Sequence, residues 1–208
     1  MPRSPRTAPR RTPSQRRGED TVVVLLDATE LVLAGRGFAA TTTNHIAEAA
    51  GVSIGTLYHY FPSKESVIEA VVHRMWAREL EVLVRHGAAL AEGPLDDAVR
   101  AIVSDLVGVV AERRELYRRW YAEASHLGRL DEGLGMTSRA VAAVHAAFTR
   151  RASELRPADL AFAADLVVKT ALAMVRTGAR DYEREIASGK LAAELSDMLV
   201  RYLLRTSA

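Results

Sequence analysis

Residues 40–64 constrain the fold most, because their polar, apolar and glycine positions specify two short helices and the turn between them. Thr41 or Thr42 offers a hydroxyl that can cap the start of the first helix. Gly51 can take the left-handed conformation that ends a helix, and Ser53 is placed to cap the second helix. That second helix is too short to be stable alone. The segment therefore predicts a helix pair that is supported by the rest of the chain.

The side chains of this segment divide into an inner and an outer set. Ile46, Ala49 and Ala50 are expected to let the first helix pack closely, while Val52 and Leu57 face inward. The outer set on the second helix is aromatic and polar as well as apolar: Ile54, Thr56, Tyr58, His59 and Tyr60. Two short helices joined by a glycine-containing turn match the helix-turn-helix arrangement, in which the second helix enters the major groove of DNA.

Residues 37–72, which read GFAATTTNHIAEAAGVSIGTLYHYFPSKESVIEAVV, resemble the N-terminal domain of the TetR family of transcriptional regulators. The resemblance is carried by an ordered set of positions: Gly37-Phe38, Thr42, Ile46-Ala47, Ala50-Gly51-Val52-Ser53, Gly55-Thr56-Leu57-Tyr58, Tyr60-Phe61 and Ser63-Lys64-Glu65. The rest of the chain resembles the family only in length and helical character. The resemblance implies a homodimeric regulator, a repressor that binds a palindromic DNA operator and is released when a small effector binds.

The resemblance also implies which residues contact DNA. The residues expected at phosphates are Thr42, Thr43, Thr56, Tyr58, Tyr60 and Lys64. The residues expected at base edges are Asn44, Ser53, Ile54, Gly55 and His59. The side-chain chemistry agrees, because hydroxyls, helix N-termini and lysine suit phosphates, whereas Ile54 offers only an apolar contact such as one with a thymine methyl group. The alternative for Tyr58 and Tyr60 is packing against the next helix.

Composition favours an all-α protein. The chain has 208 residues, of which 49% are hydrophobic, so it can bury a full core. Glycine and proline are sparse between long periodic runs, and no strand-like alternation recurs. We therefore expect an N-terminal three-helix helix-turn-helix domain in residues 18–64, followed by a helical ligand-binding and dimerisation domain in residues 65–208. Cysteine is absent, which excludes disulfides and thiolate metal sites.

The N-terminal 17 residues form a basic tail. Six arginines and no acidic residue lie in residues 1–17, whereas the remainder holds 22 basic and 26 acidic side chains. The four prolines of the tail favour a disordered, extended segment. Such a tail is either an arm that contacts phosphates or the minor groove, or a functionless extension. It lacks the apolar region of a secretory signal, and no later run is apolar enough to span a membrane, so a cytoplasmic location is expected.

Periodicity places the other helices. The first is expected to begin near Glu19-Asp20, with an apolar stripe of Leu25, Ala28, Leu31 and Val32. Ser63 is expected to cap a long fourth helix that joins the two domains, and residues 87–93 are expected to form a loop before a helix that starts near Pro94. Ser138 is the expected cap of a later helix.

The last two long apolar segments suggest an interface between subunits. Residues 158–180 are the most apolar stretch, with a polar strip made by Asp165, Lys169 and Arg176. The final helix carries a heptad-like stripe. The family resemblance implies that two such helices from each of two subunits form a four-helix interface; packing within one chain is the alternative.

Candidate ligand-binding residues lie in the helix that contains Leu116, Trp120, Glu123 and Leu127, which share one face. An ionisable group on such a face must be paired or have a perturbed pKa. The full candidate set is Trp120, Glu123, His126, His145 and Phe148. Two alternatives are structural: Glu123 as one half of a buried pair with a histidine or an arginine, and His145 as a core histidine.

An enzyme is disfavoured. Glu123 and His126 have the spacing of a di-iron bundle motif, but no other histidine has a glutamate three residues before it. The sequence therefore predicts no catalytic residues, no metal site and no cofactor. The expected partners are a double-stranded DNA operator, a small and hydrophobic effector and a second copy of the chain. The alternative function is a sequence-tolerant architectural DNA-binding protein that responds to no ligand.

Overall fold

The computed structural model describes residues 13–123 and 135–204, with side chains from residue 18 onward, and within these ranges the protein is all-α. The first four helices are α1 (Pro13–Ala40), α2 (Thr43–Ala50), α3 (Ile54–Tyr60) and α4 (Lys64–Arg85). They are followed by α5 (Gly87–Glu92), α6 (Leu95–Glu112), α7 (Arg114–Glu123) and α8 (Met136–Arg150). A short 3₁₀ turn (Ala152–Glu154) precedes α9 (Leu160–Asp181), α10 (Glu183–Ala187) and α11 (Lys190–Leu203).

Helix α1 begins before the predicted start, at Pro13, and is interrupted near its end. Gly37 has φ 77° and ψ 173°, a conformation that favours glycine, so the chain turns there before it enters α2. Leu25 and Val32 are buried as predicted, but the prediction for Leu31 was wrong, because its side chain is 71% exposed. Leu31 lies roughly 60° beyond Ala28 around the helix, past the edge of the face that packs on α2 and α4.

The capping predictions for α2 and α3 are confirmed. The Thr42 hydroxyl accepts a hydrogen bond from the His45 N–H at 3.2 Å, and the Ser53 hydroxyl accepts one from the Thr56 N–H at 3.0 Å. Gly51, with φ 65°, ends α2 in the left-handed conformation.

The core of this pair is formed by Ile46 and Leu57, which are both fully buried. The prediction that Ala49 packs inward was wrong: Ala49 is exposed and Ala47 is buried. The inner face of α2 extends from Ile46 to one side, where Ala50 and Ala47 lie, and Ala49 lies about 60° to the other side of Ile46.

Helix α4 connects the N-terminal helices to the remainder of the chain. The Ser63 hydroxyl accepts from the Ser66 N–H and the Ser66 hydroxyl accepts from the Ser63 N–H, which forms a reciprocal cap. Helix α4 packs against α1 on one side and against α6 and α8 on the other. Arg74 and Arg78 bind the Glu30 carboxylate at 2.6 and 2.8 Å, which fixes α4 to α1.

Two boundaries differ from the predictions. Residues 87–93 are not a loop, because α5 occupies most of that segment and buries Leu90 against the core. Helix α8 starts at Met136 after a left-handed Gly135, so Ser138 is an exposed residue of its first turn and not its cap. The Met136 side chain is buried in that first turn.

The C-terminal helices form a bundle around α9. Helix α9 packs against α6, α7 and α8, and α11 packs against α6. The predicted polar strip of α9 is split: Asp165 and Lys169 pair at the surface at 2.8 Å, whereas Arg176 is buried. Phe162 and Leu166 of α9 and Met198 of α11 remain exposed. In the described ranges, none of the helices has the length and apolarity needed to cross a bilayer.

Candidate DNA-binding surface and ligand cavity

The exposed face of α2 and α3 carries the side chains that the sequence assigns to DNA. Helix α3 buries Leu57 and leaves the side chains of Ile54 and Tyr58 39% and 49% exposed. The hydroxyls of Thr43 and Tyr58 lie 3.1 Å apart, so they join the start of α2 to the middle of α3. Ser53 caps α3 by accepting a hydrogen bond from the Thr56 N–H, which satisfies one of the first-turn N–H groups that have no partner within the helix.

The candidate DNA contacts lie on this face with different exposures. The exposed members are Thr42, Asn44, Ser53, Ile54, Gly55, Tyr58 and His59, and the half-buried members are Thr43, Thr56, Tyr60 and Lys64. The Lys64 ammonium donates to the Phe38 carbonyl at 3.4 Å, so it lies at the end of α1. Tyr60 packs partly against the core, with its hydroxyl beside Gly18. Their roles at phosphates and bases stay predictions.

A cavity of about 80 Å³ lies among α4, α6, α8, α9 and α11. Its described wall is apolar apart from Glu79, Thr137 and Arg176. The apolar wall includes Trp76, Leu106 and Phe148. An apolar cavity of about 150 Å³ can hold benzene. The cavity in this protein has about half that volume, so a molecule of the size of benzene or larger would bind only if wall side chains moved.

The cavity wall contains a buried ion pair. Glu79 on α4 is 4% exposed, and its Oε2 lies 2.6 Å from a guanidinium nitrogen of Arg176 on α9. The Tyr117 hydroxyl on α7 donates to Glu79 Oε1 at 3.0 Å. Burial raises the pKa of Tyr117 well above its ordinary value, and the Glu79 charge raises it further, so this hydroxyl stays protonated. Removing one partner of such a buried pair costs about 3–5 kcal/mol. The Glu79–Arg176 pair therefore fixes α4 to α9, and the Tyr117 hydrogen bond fixes α7 to the same carboxylate.

Aromatic rings connect the cavity to the N-terminal helices. The Arg176 guanidinium lies 5.6 Å from the centre of the Trp76 ring. The rings of Trp76 and Trp120 meet edge to face at 6.3 Å, and Trp120 meets Phe38 in the same way at 5.2 Å. Phe38 directly follows the turn at Gly37. A displacement of Trp76 at the cavity can therefore reach the junction of α1 and α2 through two ring contacts.

Glu123 binds the backbone at that same junction. Its Oε2 accepts a hydrogen bond from the Phe38 N–H at 2.8 Å, and its Oε1 accepts from Arg119 at 3.0 Å. Burial raises the Glu123 pKa, but the hydrogen bonds from Phe38 and Arg119 and the Arg119 charge outweigh it, and the pKa lies below the ordinary value. A Cβ on Gly37 would lie 2.6 Å from this carboxylate. Glu123 thus caps a backbone segment 85 residues away in sequence.

The structure separates the five candidate ligand-binding residues. Phe148 lies on the cavity wall. Trp120 lies behind Trp76 and does not line the cavity, and Glu123 faces α1 instead. His145 is exposed, so the interpretation as a core histidine was wrong; it lines a groove with Asp165 and Lys169. His126 lies outside the described residues.

Two family models match the chain. Residues 25–71 match the model described as "Bacterial regulatory proteins, tetR family". Residues 94–203, which include the wall helices α6, α8, α9 and α11, match "Tetracyclin repressor-like, C-terminal domain". The chain belongs to the TetR family of transcriptional regulators. The N-terminal helix-turn-helix domain and the helical C-terminal domain of this family are the two parts that the sequence indicated.

Relatives of this TetR-family chain align with only part of it. The transcriptional repressor KstR2 of Rhodococcus jostii is 48% identical over 48 residues, which are 23% of this chain and 24% of KstR2. The chain therefore aligns with about a quarter of that relative.

Solved structures show the same overall fold. NalD, the secondary repressor of the MexAB-OprM multidrug efflux pump in Pseudomonas aeruginosa, has a TM-score of 0.70 at 19% identity and covers 92% of this chain and 100% of its own. A SmeT–triclosan complex has a TM-score of 0.67 at 21% identity, with 90% and 93% covered.

Sequence analysis missed three residues that define the polar end of the cavity in this TetR-family chain. Trp76 and Glu79 belong to α4, and Arg176 was assigned only to a polar strip. A signal was present for Glu79, since it falls on the same helical face as the buried Met75 and Val82. A charged residue on a buried face predicts a buried partner, and the only charged residue among the buried positions of α9 is Arg176.

Proposed function

We propose that this chain is a homodimeric repressor that binds a palindromic operator through α2 and α3. One observation carries the proposal: Ser53 caps α3 so that its first turn and the side chains of Ile54, Tyr58 and His59 project from the protein surface. A helix presented in this way fits the major groove. In this proposal, residues 18–64 form the DNA-binding domain and residues 65–208 form the effector domain. The similarity to KstR2, a transcriptional repressor, supports repression.

The second copy of the chain is proposed to pack on α9 and α11. Phe162 is 60% exposed and Met198 is 48% exposed, and Leu166, one turn after Phe162, is exposed as well. Exposed large apolar side chains that are grouped on two helices are typical of an interface. Two recognition helices related by two-fold symmetry would meet two half-sites about 34 Å, or a multiple of that distance, apart.

The proposed effector is a small hydrophobic molecule that occupies the cavity. The supporting observations are the apolar wall and the fold shared with SmeT, which has been solved as a complex with triclosan. Because the cavity holds only about 80 Å³, an effector of greater volume must displace wall side chains such as Trp76. An effector shifts an equilibrium only through different affinities for two states, and a displaced wall provides such a difference.

Two contacts are proposed to carry this displacement to the DNA-binding domain. The first is the ring series from Trp76 through Trp120 to Phe38. The second is the hydrogen bond between Glu123 and the Phe38 N–H. Both end at the turn between α1 and α2, so movement of α7 would change the orientation of α3. The two recognition helices would then no longer match the spacing of their half-sites.

Promoter occlusion tests the proposal. A duplex that the purified protein selects from random DNA is placed across a bacterial promoter, and transcription is measured in vitro as protein is added. We expect transcription to stop at the concentrations at which two chains bind each duplex, as measured by sedimentation. A matched promoter with one half-site scrambled is the control. Equal repression of both promoters would contradict operator recognition and favour a sequence-tolerant architectural protein.

A further inference from the structure

The polar end of the cavity restricts the chemistry of the ligand that it can hold. Trp76, Glu79 and Arg176 meet there, on helices α4 and α9. The rest of the described wall is apolar except for Thr137. Any polar group of a ligand that lies at this end must therefore be compatible with these three side chains.

The two charges at this end are bound to each other. Arg176 Nε lies 3.0 Å from Glu79 Oε2, and Tyr117 donates a further hydrogen bond to the same carboxylate. A ligand with a net charge would compete with one member of this pair and leave the other member buried without its counter-ion, which is strongly unfavourable. The pair therefore selects against both carboxylates and amines.

The indole of Trp76 offers the complementary feature. Its Nε1 atom is buried, and no residue in the described ranges accepts its hydrogen bond. Buried N–H groups without an acceptor are rare in proteins, and an acceptor supplied by a ligand recovers the lost hydrogen bond. The side chain itself is 3% exposed and forms part of the cavity wall.

We propose that the cavity binds an uncharged apolar molecule that carries one oxygen acceptor, of the ketone, ester or alcohol class, and that Trp76 donates a hydrogen bond to this oxygen. This inference rests on the proposed effector cavity and adds the chemical class of the ligand. The same indole begins the ring series to Phe38, so the residue that recognises the oxygen is also the first residue to be displaced.

Three probes with the same chain length test this inference: octane, 2-octanone and octanoate. Headspace gas chromatography measures the binding of octane and 2-octanone, and equilibrium dialysis measures the binding of octanoate, which is ionised at pH 7. A ketone loses hydrogen bonds to water when it enters an apolar cavity, so the partition of each probe from water into hexadecane is the reference. Relative to this reference, we expect 2-octanone to bind about tenfold more tightly than octane, the ratio that about 1.4 kcal/mol provides. We expect octanoate to bind most weakly of the three.

Trp76→Phe removes the N–H group and keeps an aromatic ring. It should reduce the preference for 2-octanone over octane, relative to their partition into hexadecane, to about one. Trp120→Phe is the matched control, because Trp120 is also an indole but lies behind the wall; this variant should keep the preference. The wild-type comparison of the three probes stands even if a variant fails to fold.

The outcomes separate this inference from the proposed function. Failure of all three probes to bind would contradict the effector cavity itself. An affinity ratio equal to the hexadecane partition ratio, or an unchanged preference in Trp76→Phe, would overturn the hydrogen bond and leave a purely apolar cavity. Tightest binding of octanoate would overturn the exclusion of charge.

Discussion

Replacing Glu123 by alanine removes the carboxylate that joins the end of α7 to the turn after α1. The variant loses the hydrogen bond from the Phe38 N–H at 2.8 Å and the pairing with Arg119 at 3.0 Å. A hydrogen bond to a charged acceptor contributes about 1.5–3 kcal/mol, and a partly exposed ion pair adds about 0–1 kcal/mol. Because Glu123 is 29% exposed, water can partly replace both interactions, and we expect a net loss of about 2 kcal/mol.

That loss should lower the melting temperature by about 4–8 °C, given the dependence expected for a chain of this size. Glu115→Ala is the matched control. Glu115 lies on the same helix and also binds Arg119, at 3.2 Å, but within the described residues its carboxylate pairs with Arg118 and Arg119 of α7. We expect the control to change the melting temperature by less than about 2 °C, since it loses only surface pairs within one helix.

The second assay compares two operators, the selected one and a version with one base pair inserted between its half-sites. The insertion rotates one half-site by about 35° relative to the other. If Glu123 fixes the orientation of the DNA-binding domain, Glu123→Ala should weaken binding to the selected operator and reduce the discrimination against the inserted one. If Glu123→Ala lowers the melting temperature but still discriminates between the two operators as the wild type does, Glu123 stabilises the fold and does not orient the DNA-binding domain.

Three further outcomes follow from the same structure. Tyr58→Ala should weaken binding to all duplexes, whereas Ile54→Ala should change the preference among operator variants by about 1–3 kcal/mol per lost base contact; affinities on a panel of operators check both. Deleting residues 2–12, which keeps α1 intact, should lower the salt slope of DNA binding by about 1–3 per subunit if the arginines contact phosphates, at about 0.9 per contact; identical slopes would exclude the tail from binding. The Glu123 pKa is depressed, so its stabilisation is complete above the ordinary pKa and is lost as the pH falls through the folded value; melting curves of wild type and Glu123→Gln should therefore stay apart at pH 7 and converge as the pH falls below the ordinary carboxyl range.

Local chemistry explains why the helix-turn-helix could be predicted from the sequence. Thr42, Ser53 and Ser63 each accept a backbone hydrogen bond three residues on, and Gly51 needs only its own left-handed conformation. Such contacts depend on a few adjacent residues, so sequence spacing determines them. The positions of the candidate DNA-contacting residues could be predicted for the same reason, because these residues lie on or beside the helices whose ends the caps determine.

The ligand side was less predictable because its decisive contacts are distant in sequence. Glu79 and Arg176 are 97 residues apart, and Glu123 and Phe38 are 85 residues apart. Periodicity identified the face of α7 that carries Trp120 and Glu123, but it gave no information on whether that face met a cavity or another domain. His145 shows the same limit, since an apolar neighbour on the helical wheel did not establish that it was buried.

Selection from a pool of random 30-base-pair duplexes tests whether the protein recognises a palindromic operator. The purified wild-type protein is incubated with the pool, bound duplexes are sequenced over successive rounds, and Tyr58→Ala is carried in parallel. We expect enrichment of one inverted repeat with half-sites about one helical turn, or a multiple of it, apart, and its loss or marked weakening in the variant. Enrichment of no common sequence, or of a single unrepeated site bound by one chain, would contradict this expectation.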